Sequence, residues 1–214
     1  MLEFAASAFV TLVVTIDPVG TLPIFVALTH RQEMGRRRQT ARTSIAVAAI
    51  TLVVLAVVGG MLLRLLGIGL PALRIAGGLL LLLLSIDMVF AHQGGIRSTT
   101  ATETKEATEK ADVAIFPLAI PLIAGPGAIA STILLMARAE NDLILQAIVI
   151  AVLLSVLGLS LAALLCAAPL MDRLGVTGIN VIGRILGIML AALAMQYIID
   201  GTTDVLTSLP GGQT

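Results

Sequence analysis

Two short motifs carry the chemistry open to this chain. Asp17-Pro18-Val19-Gly20-Thr21 sets an acid and a proline inside one apolar run, and Gly125-Pro126-Gly127 sets a proline between glycines in another. Proline lacks an N–H and its ring collides with the preceding turn, so Pro18, Pro23, Pro117, Pro121 and Pro126 each free a carbonyl and unwind a helix locally. Proline is also favoured as the first residue of a helix, and Asp is a strong N-cap, so Asp17-Pro18 and Gly125-Pro126 predict two new half-helices. Their positive dipole ends and unpaired N–H groups suit an anion, and the glycines permit close backbone approach. Asp17 and the released carbonyls suit a cation. A small zwitterion matches both poles, with its carboxylate at Gly125, Pro126 and Gly127 and its ammonium at Asp17, beside Pro18 and Gly20. Thr15, Thr21, Ser131 and Thr132 offer hydroxyl contacts. The absence of Trp argues against a large aromatic cage. A structural alternative stays open: Asp17 serves only to satisfy a helix end, and the second motif only bends and packs helices.

The elements that position these motifs follow from composition. The chain has 214 residues, 58% hydrophobic and 12% charged, where a soluble domain carries about 25% charge. Its mean hydropathy is +1.07. Apolar runs lie at about 5–28, 43–66, 71–91, 113–137, 143–168 and 181–199, each near the ~20 residues that cross a bilayer as a helix. The block from Leu79 to Leu84 and that from Ile148 to Leu154 are continuously apolar, whereas a membrane β-strand would alternate. The expectation is an all-α membrane protein of six transmembrane helices. The middle of the first run falls beside Asp17 and that of the fourth on Gly125, so both interruptions are expected halfway through the bilayer.

An internal repeat is also legible. Arg74-Ile75-Ala76-Gly77-Gly78-Leu79-Leu80 resembles Arg184-Ile185-Leu186-Gly187-Ile188-Met189-Leu190, and the first-span motif pairs with the fourth-span motif at a closely similar offset. Three spans per half is an odd number, so the second half enters from the opposite face and the two form an inverted-topology repeat with broken first and fourth helices. Residues 1–91 are then the first three-helix repeat, 92–112 a polar cytoplasmic linker, and 113–214 the second repeat with a short tail, all within one membrane domain. Within the linker, Glu106 and Lys110 have the i,i+4 spacing of a short exposed helix; a tether or a regulatory element are the two roles considered.

Lys and Arg set the orientation. Arg31, Arg36, Arg37, Arg38, Arg42, Arg97, Lys105, Lys110, Arg173 and Arg184 fall on one side, against Arg64, Arg74 and Arg138 on the other. This predicts periplasmic termini. The N-terminus lacks the positive region of a secretory signal, so the first apolar segment is expected to remain in the mature protein. Asp87 lies near a span end, where an interfacial position suits it, and Arg74 and Arg184 sit near span entrances, where snorkelling to headgroups or capping the facing half suits them better than substrate contact. Gln196 and Tyr197 are assigned to helix–helix hydrogen bonding, and the GxxxG pattern from Gly183 to Gly187 to close packing of the sixth span. His30 and His92 fall at the cytoplasmic rim, away from any proton relay. Thirteen basic residues balance thirteen acidic ones, which gives no field to attract nucleic acid. Cys166 stands alone, which removes disulfide and CxxC zinc or redox motifs; no metal or cofactor is expected.

Asp17-Pro18-Val19-Gly20-Thr21-Leu22-Pro23-Ile24-Phe25, Arg74-Ile75-Ala76-Gly77-Gly78, and the stretch from Phe116 through Pro117, Pro121, Gly125, Pro126 and Gly127 to Ile129 resemble the MarC family of bacterial and archaeal inner-membrane proteins. The resemblance covers essentially the full chain. It implies a six-span protein of the cytoplasmic membrane, in a family that includes transporters of small neutral amino acids such as glycine and alanine. The reading that follows is a secondary carrier of such a substrate, coupled to an ion or proton at Asp17, since no GxxxxGK[ST] motif is present to use a nucleotide. The alternative is a non-transporting inner-membrane scaffold or stress-related protein. An enzyme is not expected, because no Ser/His, HExxH or paired-carboxylate arrangement occurs within the spans. Besides the zwitterion the partners are the lipid bilayer and, left open, further copies of the chain.

Overall fold

The computed structural model describes residues 1–90, 113–139 and 142–208, and among them there is no strand. The proposed linker, 92–112, lies outside the described residues. Among the described residues eight helical segments follow in order: α1 (Leu2–Ile16), α2 (Thr21–Thr29), α3 (Met34–Leu65), α4 (Leu70–Phe90), α5 (Ala114–Ile123), α6 (Pro126–Arg138), α7 (Leu143–Leu165) and α8 (Ala167–Ser208). Helix is the conformation that lets a single segment satisfy its own N–H and C=O groups in hydrocarbon. Four helices are long and apolar enough to cross a membrane: α3, α4, α7 and the Thr177–Ser208 part of α8. The remaining four form two bent pairs, α1 with α2 at 41° and α5 with α6 at 57°. Counting each pair as one span gives the six expected, with both breaks where the prolines put them.

Several boundaries differ from the sequence expectation. α3 begins at Met34, well before the apolar run at 43, so Arg36, Arg37, Arg38 and Arg42 are helical rather than part of a loop. Arg is a good helix former, and nothing in that stretch breaks a helix before Glu33. α8 likewise extends beyond 181–199 in both directions and turns at Gly175, whose φ of 63° lies in the left-handed region that glycine occupies without penalty. α5 is irregular: Phe116 and Ile120 are extended, each preceding a cis peptide to Pro117 and Pro121.

Glycines let the helices approach and reveal their directions. A Cβ at Gly201 would sit 2.8 Å from the Pro71 carbonyl oxygen, one at Gly78 2.8 Å from that of Ala194, and one at Gly187 2.9 Å from the Met88 Cβ. Residue numbers in α4 rise as those in α8 fall, so the two run antiparallel and close along most of α4. The same logic sets α6 antiparallel to α4, from Gly77 against Ala130 and Gly127 against Leu81. Of the expected GxxxG pair, Gly187 packs as predicted, while Gly183 meets nothing within 4 Å.

Two buried clusters fill the bundle. The larger joins α1, α2, α3, α5, α6 and α7 through residues such as Leu12, Phe25, Leu52, Leu118 and Leu153; the smaller joins α1, α4, α6 and α8 through Val14, Leu81, Leu134, Leu190 and Tyr197. Large apolar side chains elsewhere, among them Ile50, Val57, Leu83 and Ile188, are exposed, as lipid-facing residues are. Gly78→Ala should lower stability by about 1–3 kcal/mol, because the new methyl meets the α8 main chain at Ala194 and Ile198 as well as the Ile198 side chain. Thermal unfolding in detergent checks this against Gly183→Ala, expected to be neutral or slightly stabilising.

Candidate functional site

Asp17 organises the first break. Its φ of 54° and ψ of 70° place it in the left-handed region, which Asp tolerates because its short side chain bonds locally. Its N–H donates to the Val13 carbonyl at 2.9 Å and closes α1, while its Oδ1 accepts the Gly20 N–H at 2.9 Å and opens the next turn. One residue thus serves as the end of one helix and the cap of the next. The Thr21 N–H also reaches the Asp17 carbonyl at 3.3 Å, so the expected half-helix start at Pro18 appears as a single turn, and regular α2 begins at Thr21. Asp17 is 1% exposed. A Cβ on Gly20 would lie 2.0 Å from the Asp17 Oδ2, so glycine is required by the carboxylate that folds over the turn, the backbone there being ordinary right-handed.

The second break is built differently. α6 starts at Pro126 behind Gly125, and no side chain caps it. The Gly127 and Ala128 N–H groups precede the first intrahelical bond, from the Ile129 N–H to the Gly125 carbonyl at 3.0 Å. Both residues are buried. A Cβ at Gly125 would lie 2.7 Å from the Pro121 carbonyl oxygen, so backbone approaches backbone here.

A cavity lies at the second break and reaches α1 at Thr15. Thr15, two residues before Asp17, lines it together with Pro121, Gly125, Pro126 and Gly127, and Leu80 and Leu84 from the middle of α4 close it. Its volume is about 20 Å³, room for one water. Apart from the Thr15 hydroxyl, which donates to the Leu12 carbonyl at 3.4 Å, its side chains are apolar. Of the residues read from sequence, Gly125, Pro126 and Gly127 therefore face the cavity. Asp17, Pro18, Gly20 and Thr21 form the adjoining turn, where the Thr21 hydroxyl donates to the Pro18 carbonyl at 3.0 Å. Thr132 donates to the Ala128 carbonyl at 2.7 Å. Ser131 is fully buried one turn beyond Gly127, beside the Tyr197 hydroxyl of α8.

Toward the end where α6 and α8 finish, a polar layer that the sequence reading missed covers the bundle. Arg74 bonds Asp204, and Arg138 bonds Asp200 at 3.3 Å while its guanidinium lies 5.9 Å from the Tyr197 ring centroid. Arg74 was expected to snorkel to headgroups or to cap the facing half; it reaches the facing half, where a carboxylate of α8 neutralises it. The i,i+4 spacing of Asp200 and Asp204 on the end shared with Arg74 and Arg138 was the available signal. Gln196 donates to Asp200 at 2.6 Å within its own helix rather than across helices. Among the described residues no group of three or more His, Cys, Asp or Glu could hold a metal.

Gly20→Ala is expected to cost about 1–3 kcal/mol, since its methyl must displace the buried Asp17 carboxylate. Thermal unfolding should show a clear drop, whereas Gly158→Ala, with nothing within 4 Å, should show none.

The family model described as "MarC family integral membrane protein" matches residues 2–206. A UPF0056 membrane protein of Archaeoglobus fulgidus is 35% identical over 208 residues, covering 97% of this chain and 96% of that one. UPF0056 membrane protein YhcE of Escherichia coli is 34% identical over 202 residues, 94% of this chain and 93% of its own. UPF0056 membrane protein YvbG of Bacillus subtilis is 32% identical over 211 residues, 97% and 100% respectively. No solved structure matches. The chain is a multi-pass, all-helical membrane protein, and it belongs to the MarC family of integral membrane proteins.

Proposed function

We propose that this protein is a secondary carrier of small neutral amino acids of glycine or alanine size across the inner membrane, coupled to an ion or proton. The observation that carries this reading is the buried N-terminus of α6, which no side chain caps, opening on a cavity that α1 also lines at Thr15. Its opening N–H groups, which no side chain caps, and its dipole suit a carboxylate, and Gly125 and Gly127 leave room only for a small solute. The buried Asp17 carboxylate in the adjoining turn supplies negative charge for an ammonium or coupling cation, and intramembrane acids are functional by default. Ser131 adds a buried hydroxyl on the same helix as Gly127. A glycine zwitterion is several times larger than 20 Å³, so the described conformation is a closed one and loading requires the breaks to separate.

The inverted repeat is part of the proposal. Each half runs as a bent pair followed by two long helices, and the two closing helices, α4 and α8, pair antiparallel. Periplasmic termini follow from the charge count. No catalytic step and no cofactor enters this reading. The small apolar cavity favours one rival, a non-transporting scaffold in which the breaks serve packing alone.

Purified protein in liposomes should exchange labelled glycine or alanine by counterflow, and Asp17→Asn, which keeps the cap geometry, should reduce that flux at least tenfold without lowering the unfolding temperature. Unchanged flux in the variant removes Asp17 from the site, and absence of exchange across an amino-acid panel favours the scaffold. A reporter fused after Thr214 should be active only on the periplasmic side.

A further inference from the structure

α6 and α8 both pack on α4, yet they are joined to each other by different means. Main chain approaches main chain between α4 and α8, at Gly78 and Gly201. Gly127, the one glycine in α6, also faces α4, and none of the α8 glycines faces α6. α6 and α8 are instead linked through side chains. Arg138 bonds Asp200 at 3.3 Å, its guanidinium lies 5.9 Å from the Tyr197 ring centroid, and Ser131 sits beside the Tyr197 hydroxyl.

These links lie in tiers above the cavity. Both helices run antiparallel to α4, so they run parallel to each other. Gly127, on the cavity, is level with Leu81 of α4, and Ala130 is level with Gly77. Ser131 and Tyr197 meet just beyond that level, and Arg138 stands roughly 16 Å from Gly127 along α6. Burial falls off in the same order: Ser131 is fully buried and Tyr197 is 2% exposed, while the side chains of Arg138 and Asp200 are 37% and 28% exposed. A route from the cavity along the α6–α8 seam therefore meets the Tyr197 ring first and then the ion pair beside it.

We propose that Arg138 and Asp200 form a latch: their ion pair holds the end of α6 on α8 with Tyr197 shut behind it, and it must part before a solute passes between the cavity and the end where α6 finishes. The latch rests on the carrier reading for its purpose. A partly exposed ion pair is weak and screened by salt, so it parts without unfolding the bundle. Arg74 and Asp204 make a similar pair between α4 and α8, but there the glycine seam holds the helices together whether or not the charges meet.

The full chain carrying C166S, which removes its one native thiol, and S131C, which places a thiol behind the latch, is reconstituted in nanodiscs and treated with a cationic methanethiosulfonate. Modification of a buried thiol requires opening, so its rate, read by mass spectrometry, follows the open population. Adding R138Q or D200N is expected to raise that rate about fivefold, and adding both should match R138Q alone, because the partners of one pair are lost together. High salt should speed modification while the pair is intact and not in the double variant. R74Q should leave the rate unchanged. Unchanged rates with R138Q and D200N, additive effects of the two, or an equal rise with R74Q would each overturn the latch. Should R138Q fail to fold, D200N and the salt dependence carry the test. Counterflow of labelled glycine or alanine separates the two claims: faster modification without exchange by the unaltered protein keeps the latch and removes the carrier, and exchange with unmoved modification rates does the reverse.

Discussion

In hydrocarbon a backbone N–H or C=O without a partner costs several kcal/mol, and nearly every feature of this protein answers to that penalty. Four long helices and two bent pairs bury most peptide groups inside regular helix. At two places prolines make this impossible, and the chain resolves them by unlike means. The first break is sealed by its own side chain, with Asp17 closing one helix and capping the next. The second has only a glycine before Pro126 and leaves the opening N–H groups of α6 without a side-chain cap. The first break is locally satisfied; the second is chemically open, and it is the second that supplies most of the cavity wall.

That division clarifies what the residues around the breaks do. The left-handed backbone at Asp17 is held by its own carboxylate, and Gly20 exists to leave space for that carboxylate rather than to relax a dihedral angle. At Gly125 the neighbour is the Pro121 carbonyl, so there the missing side chain lets two stretches of main chain come together. The two glycines read alike in sequence and differ in cause.

Much of the architecture is legible because lipid imposes simple rules. Both breaks sit where apolar runs and prolines put them, and α6 opens at Pro126 behind Gly125 as those residue types suggested. Helix ends are less legible: Arg36 to Arg42 extend α3 outside the apolar stretch because hydropathy reports the solvent, not the helix. The ion pairs of Arg74 with Asp204 and Arg138 with Asp200 join residues far apart in the chain, and a single sequence carries no signal of which side chains meet. Leu80 and Leu84, which cap the cavity, sit in an unbroken leucine block where no one position stands out.

The seam between α4 and α8 has a mechanical consequence. With Gly78, Gly187 and Gly201 bringing main chain against main chain, the pair has no slack for sliding or parting and behaves as a stiff keel. Any widening at mid-depth must then be taken up by the short jointed segments, α1 with α2 and α5 with α6, swinging against that fixed spine.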